Sequence, residues 1–167
     1  PLEIPLTAMG VGAGYTGTEV ATSLVSQLRS LAGRQGARKA ARVIVVERAE
    51  HVAPDLGDRA RRHVDRAFAD LGIEVRTASR VTEVRADGAL LDGGEWIGAA
   101  TTIWTGGFRA SALAEQIPGE RDELGRIAVD QTLGVPWCER VFAAGDVAHA
   151  MADGPPPPLA PMSCQCA

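Results

Sequence analysis

A mixed α/β fold, a parallel sheet with a three-stranded β-meander, is predicted by three observations. Short apolar runs are twice followed by segments of helical periodicity, which is the pattern of alternating strands and helices in a parallel sheet. A glycine-rich turn stands at the first of those junctions. Two Asp-Gly turns then break the next stretch into short strands.

Residues 6–11 read as the first strand. Gly12-Ala13-Gly14-Tyr15-Thr16-Gly17-Thr18-Glu19 follows, after which Val20, Leu24, Leu28 and Leu31, helped by Ala21 and Val25, recur at the spacing of one helix face. Strand before and helix after turn a common Gly-x-Gly-x-x-Gly match into a dinucleotide-binding reading. Gly12 permits the tight turn, Gly14 lets the backbone approach a diphosphate, and Gly17 allows the helix to pack closely on the strand. The diphosphate would sit on the first N–H groups of the helix, at the positive end of its dipole.

The next strand, Arg42-Val43-Ile44-Val45-Val46-Glu47, ends in an acid. A carboxylate there can accept hydrogen bonds from the adenosine ribose and repel a 2′-phosphate, which favours NADH over NADPH. The separation from the glycines exceeds the usual ~20 residues, because a basic loop with Arg34, Arg38 and Lys39 intervenes; it reads as a solvated connection. Arg48 follows the acid and is either a surface residue or a partner for a 2′-phosphate.

Residues 55–71 repeat the helical pattern through Leu56, Ala60, Val64, Ala67, Phe68 and Leu71, and Gly72 ends it. Ile73-Glu74-Val75-Arg76 is a third parallel strand. Residues 79–97 form the meander, with turns at Asp87-Gly88 and Asp92-Gly93-Gly94. Thr101-Thr102-Ile103-Trp104 is a further strand that ends in Thr105-Gly106-Gly107, where the backbone can again come close to a ligand at a strand's carboxyl end. These elements make residues 1–107 a Rossmann-like NAD(H)-binding domain. A boundary falls at 107/108, after which residues 125–130 and 141–144 read as short strands and Pro155-Pro156-Pro157-Pro158 as an extended spacer.

Composition excludes several classes of function. With 46% apolar and 23% charged residues the chain is that of a globular protein. A net charge of −4 provides no footprint for nucleic acid, and no apolar run approaches the ~18 residues of a membrane span. Pro1-Leu2-Glu3-Ile4-Pro5 shows no signal peptide, and Lys39 is the only lysine. Cys138, Cys164 and Cys166 contain no C-x-x-C, so neither a dithiol centre nor a metal site is read, and the compartment is taken as reducing. His51, His63 and His149 are scattered, with no nucleophile signature beside them.

With Gly12–Glu19, Val45-Val46-Glu47, Thr102 to Gly107, and Val141-Phe142-Ala143-Ala144-Gly145-Asp146-Val147-Ala148 in order, the chain resembles the FAD/NAD(P)-dependent pyridine nucleotide-disulfide oxidoreductases. Within them it is most similar to the type II NADH dehydrogenases. The resemblance implies that Gly145 and Asp146 belong to an FAD site, the Asp146 carboxylate bonding the ribityl chain. It implies that Tyr15 covers the flavin until nicotinamide displaces it, although a Tyr packed against the sheet would look the same. Glu19 is implied to lie near nicotinamide and flavin, or else is a helix N-terminal Glu favoured by the dipole.

On this resemblance, residues 108–167 are the C-terminal part of an FAD-binding domain and the sequence is an interior fragment, since a full-length member carries another glycine-rich unit upstream and a further domain downstream. Residues 158–167 would begin the helix that faces the flavin. The implied activity is hydride transfer from NADH to FAD, with electrons passing to a quinone or similar acceptor. The implied partners are NADH, that acceptor and the remaining FAD-domain residues, and a homodimer is compatible. The parent would be cytoplasmic or peripheral at the inner face of the membrane. Other readings are a non-catalytic NADH-binding module, a disulfide- or ferredoxin-type reductase fragment, and a scaffold with a dead nucleotide site. The cofactors carry the chemistry, so no protein acid, base or metal is required.

Overall fold

The computed structural model describes residues 6–34 and 41–150. Most of the basic loop, the proline spacer, residues 158–167, Cys164 and Cys166 lie outside them. The chain divides into two compact units, Pro1–Gly107 and Phe108–Ala167.

The first unit runs β1 (Thr7–Val11), α1 (Tyr15–Arg34), β2 (Arg42–Val46), α2 (Asp58–Leu71), β3 (Glu74–Arg76), β4 (Val81–Arg85), β5 (Gly88–Leu91), β6 (Trp96–Gly98) and β7 (Thr101–Trp104). A parallel sheet has the order β3-β2-β1-β7, and β4-β5-β6 form an antiparallel meander. Alternation along β2 explains why the strand is apolar throughout. Val43 and Val45 pack with Ala21, Val25 and Phe68 on the helical side. Ile44 and Val46 pack with Met9, Val11, Ala89, Leu91 and Ile97 on the meander side. A strand buried on both faces loses the polar half of its pattern.

The helices differ from the sequence expectation in detail. α1 buries Ala21, Val25 and Ala32, whereas Leu31 is 48% exposed. Ala21 and Val25 face the sheet with Leu24 and Leu28 partly buried beside them, and Leu31 falls outside this stripe. α2 starts at Asp58 rather than 55, after a turn through Pro54, and Gly57 is its N-cap. Its C-cap is Gly72, whose left-handed φ of 67° suits the residue that ends a helix. Phe68 is the buried anchor of α2, and that burial contributes roughly 1.5–3 kcal/mol.

In the second unit, β8 (Ile127–Val129) and β9 (Ala148–Ala150) pair in parallel over a core of Ile127, Val129, Val135, Ala143 and Ala148. The strand expected at residues 141–144 does not form; Phe142 makes only an isolated bridge with Gly134. Leu133 and Arg140 have left-handed φ values of 63° and 62°, which kink both segments so that no ladder extends from that bridge. Arg121 organises the loop before β8 by donating to the carbonyls of Ala114, Ile117 and Gly119.

Candidate functional site

The turn after β1 is built from three glycines in three different circumstances. Gly12 has φ +98°, and a Cβ on it would lie 2.8 Å from Gly106 Cα. A Cβ on Gly17 would lie 2.0 Å from the Gly12 carbonyl oxygen and 2.8 Å from Thr105 Oγ1, so α1 can pack on the turn only with glycine there. A Cβ on Gly14 would meet nothing within 4 Å, which leaves the space beside it open. α1 begins at Tyr15 with no acid in its first turn. The N–H groups of such a turn have no intrahelical acceptor and face outward at the positive end of the helix.

Glu47 fixes this turn from the end of β2. Its side chain is buried, and its two carboxylate oxygens accept from Ala13 N–H at 2.6 Å and Ala49 N–H at 2.8 Å. The Ala13 carbonyl accepts from Ala53 N–H at 2.8 Å, and Ala53 is held at φ +50°. On the other side, the Thr105 hydroxyl reaches the carbonyls of Val11 at 2.9 Å and Gly12 at 3.1 Å. The glycine turn is thus clamped between the ends of β2 and β7.

A cleft of about 400 Å³ opens across the carboxyl ends of β2, β1 and β7. Such a crevice is where open α/β sheets bind ligands. Gly12, Gly14, Glu47, Arg48, Gly106 and Gly107 line it together. Tyr15, Gly17 and Glu19 do not line it: Gly17 packs beneath, Tyr15 is half-buried at the start of α1, and Glu19 is exposed. Gly145 and Asp146 belong to the second unit, in a 3-10 turn, and the Asp146 carboxylate is exposed and accepts no hydrogen bond among the described residues.

Sequence reasoning placed Thr105 in the turn that approaches a ligand but gave its hydroxyl no role, and it missed Trp104 as part of the site, together with Ser79, Arg80 and Val81, which form another wall. Ser79 N–H donates to the Glu47 carbonyl at 3.0 Å and Ala78 N–H to that of Ala49 at 2.8 Å, which lays this segment beside Glu47 and Arg48. Residues 79–81 read only as the start of the meander, and no motif there marks them as part of a site. Arg48 and Arg80 are exposed, and their guanidinium groups have no carboxylate partner among the described residues. Among those residues, no group of three or more His, Cys, Asp or Glu could hold a metal ion. No helix there is long and apolar enough to cross a membrane.

In the second unit, Asp122 is the best-supported carboxylate. Burial pushes its pKa up, but hydrogen bonds and charge from Arg126 more than offset this and hold it below the ordinary aspartate range. The Arg126–Asp122 contact is 2.6 Å, with both side chains about one-fifth exposed: 18% and 19%.

The sequence profile of the pyridine nucleotide-disulphide oxidoreductases matches residues 3–167. The chain belongs to that family. An NADH dehydrogenase-like protein of Mycobacterium tuberculosis is 43% identical over 159 residues, which are 95% of this chain and 39% of the relative. The type II NADH:quinone oxidoreductase Ndh of the same organism is 32% identical over 154 residues, 86% of this chain and 33% of the relative. The chain therefore spans well under half the length of these curated relatives. Among solved structures, the NAD-dependent persulfide reductase from A. fulgidus matches with a TM-score of 0.67 at 27% identity, over 85% of this chain and 25% of that one. NDH2 from Plasmodium falciparum, solved in complex with NADH, shares the fold with a TM-score of 0.72 at 19% identity, over 87% of this chain and 32% of that one. The described residues of this family member form a mixed α/β structure that shares its fold with these solved proteins.

Proposed function

We propose that the first unit binds NADH and that the chain is part of an FAD-dependent NADH:acceptor oxidoreductase, with a quinone or similar small molecule as acceptor. The observation that carries this reading is the clamped glycine turn with Glu47 at its side. Gly14 leaves an open seat, α1 presents N–H groups to it, and a carboxylate oxygen with a spare lone pair can still accept from a ribose hydroxyl. Relatives named as NADH dehydrogenases and NADH:quinone oxidoreductases support the same substrate and acceptor class.

The residues divide the work. Gly12 and Gly17 shape the turn, Gly14 gives the diphosphate its seat, Glu47 holds the loop and the adenosine ribose, and Gly106 and Gly107 keep the neighbouring backbone low. Arg48 borders the adenosine end. Tyr15 and Glu19 stand at the start of α1, where they would meet the nicotinamide and flavin in the assembled enzyme. Gly145 and the exposed Asp146 suit the ribityl chain of FAD, a polyol that an unpartnered carboxylate can bond. FAD, when bound, supplies the hydride acceptor; the protein supplies position and electrostatics. We place the parent in the cytoplasm, or peripherally at the inner face of the membrane.

The test is calorimetric titration of the purified chain with NADH and FAD, alongside its absorbance spectrum. Saturable NADH binding supports the reading. Absence of NADH binding by a folded chain overturns it. NADH binding in a full-length parent that holds no flavin would favour a non-catalytic NADH-binding module instead.

A further inference from the structure

We infer that the free edge of β4 is a docking surface for a second copy of this chain, paired antiparallel and centred on Val84. This goes beyond the dinucleotide reading and does not depend on it. The meander has the order β4-β5-β6, so β4 is hydrogen-bonded to a neighbouring strand on one side only. Thr82, Glu83, Val84 and Arg85 are all exposed. A strand so placed presents backbone N–H and C=O groups to any chain that can extend the ladder.

Val84 is the apolar side chain left uncovered there. Its ladder partner is Ala89, which is buried in the core between the meander and the parallel sheet. Partners in a ladder share a face. Val84 therefore stands on the core-facing side and is still 48% exposed, because no strand lies beyond it. A second β4 laid antiparallel, with Val84 opposite Val84, closes that gap with a pair of β-branched side chains.

The charges beside Val84 select this register. Glu83 and Arg85 project from the other face of the strand, where Arg85 donates to both Glu83 carboxylate oxygens at 2.6 and 3.0 Å and lies 5.5 Å from the centre of the Trp96 ring. Two-fold symmetry about Val84 sets Glu83 of each copy opposite Arg85 of the other. A shift of the pairing centre by one residue, to Glu83 or to Arg85, sets like charges opposite one another, which is unfavourable. Edge charges of one sign repel an added strand, whereas this alternation of sign is self-complementary. The exposed pair within one chain holds its partner weakly, so exchanging it across the contact costs little. The irregularity between Val81 and Glu83 limits the ladder on one side, so the contact is short and belongs to the weak, transient class.

The experiment is sedimentation velocity of the purified chain over a concentration series, with circular dichroism to show that each variant is folded. The unsubstituted chain should show a reversible monomer–dimer equilibrium that weakens as salt is added. Glu83→Arg and Arg85→Glu should each weaken it by about tenfold or more, ~1.4 kcal/mol, since each sets like charges opposite one another. The double swap, Glu83→Arg with Arg85→Glu, should restore association to within about threefold of the unsubstituted chain. Should Arg85→Glu unfold through loss of its contact with Trp96, Val84→Asp takes its place and should also weaken association by about tenfold or more. A chain that is monomeric at every concentration, a dimer that neither Glu83→Arg nor Val84→Asp weakens, or a folded double swap that associates no better than the single variants overturns the docking surface.

Discussion

Ala13 donates its N–H to Glu47 at 2.6 Å, so the middle of the glycine-rich turn is fastened to the end of the neighbouring strand by a buried carboxylate. The acid is therefore a brace, beside the ribose-accepting role proposed for it. Its second oxygen, bonded to Ala49 N–H, extends the brace to the chain that leads toward α2.

Glu47→Gln replaces one of those acceptors with an NH₂ group, which leaves a buried backbone N–H facing a donor. The expected cost is about 1–3 kcal/mol of stability. It should be read as a lower urea midpoint with an unchanged slope. A midpoint equal to that of the unsubstituted chain would mean that the two hydrogen bonds do not brace the turn.

Preference for NADH over NADPH should be tenfold or more, about 1.4 kcal/mol, because Glu47 opposes a 2′-phosphate. Glu47→Gln should narrow that ratio. Arg48 borders the same end of the cleft, so if it dominates instead, Arg48→Ala will weaken NADPH alone and Glu47→Gln will change little. Competitive titration with the two nucleotides separates these outcomes.

Gly14→Val and Gly17→Val should fail in different ways. A Cβ at Gly14 meets open space, so that variant should fold with an unchanged circular dichroism spectrum and lose dinucleotide binding. A Cβ at Gly17 would sit 2.0 Å from a backbone oxygen, so that variant should lose stability first. A folded Gly14→Val that retains NADH affinity would show the turn to be structural only.

The sequence was legible where one periodicity or one motif dominated. The buried β-branched run of β2 and the Asp-Gly turns of the meander follow from local patterns. The reasons for Gly12 and Gly17 were visible in spacing alone and reappear as close contacts. What could not be read was long-range. The Thr105 hydroxyl meets Val11 and Gly12 across more than ninety residues, and Arg80 reaches the cleft because Ser79 and Ala78, just before it in the chain, donate backbone N–H groups to the carbonyls of Glu47 and Ala49. Residues 141–144 were read as a strand from their apolar composition, which cannot anticipate the left-handed turns at Leu133 and Arg140.

Asp122 should make the second unit sensitive to acid. Its folded-state pKa lies below the ordinary 3.8, since Arg126 offsets the cost of burial. The stability it contributes is present above that ordinary value and is lost as pH falls through the lower folded-state value. Asp122→Asn should cost about 1.5–3 kcal/mol at neutral pH, the range for hydrogen bonds to charged groups, and should flatten the decline below pH 3.8. Denaturant melts of both proteins across that range provide the check.

Flavin should be held weakly by the 167-residue chain. This sequence carries one glycine-rich unit, assigned to NADH, and a single carboxylate bond from Asp146 contributes only ~1.5–3 kcal/mol. The purified chain should be colourless and lack NADH oxidase activity, whereas a full-length parent should be yellow and lose flavin on Asp146→Ala. A stoichiometric flavin spectrum in the 167-residue chain would require a second seat for the ADP half.

The central claim is that NADH occupies the cleft across the ends of β2, β1 and β7, and backbone amide chemical-shift mapping tests it most directly. On titration with NADH, shifts should concentrate at Gly12, Gly14, Glu47, Arg48, Arg80 and Trp104 through Gly107. Shifts confined to residues 108–150, or none at saturating NADH, would contradict it.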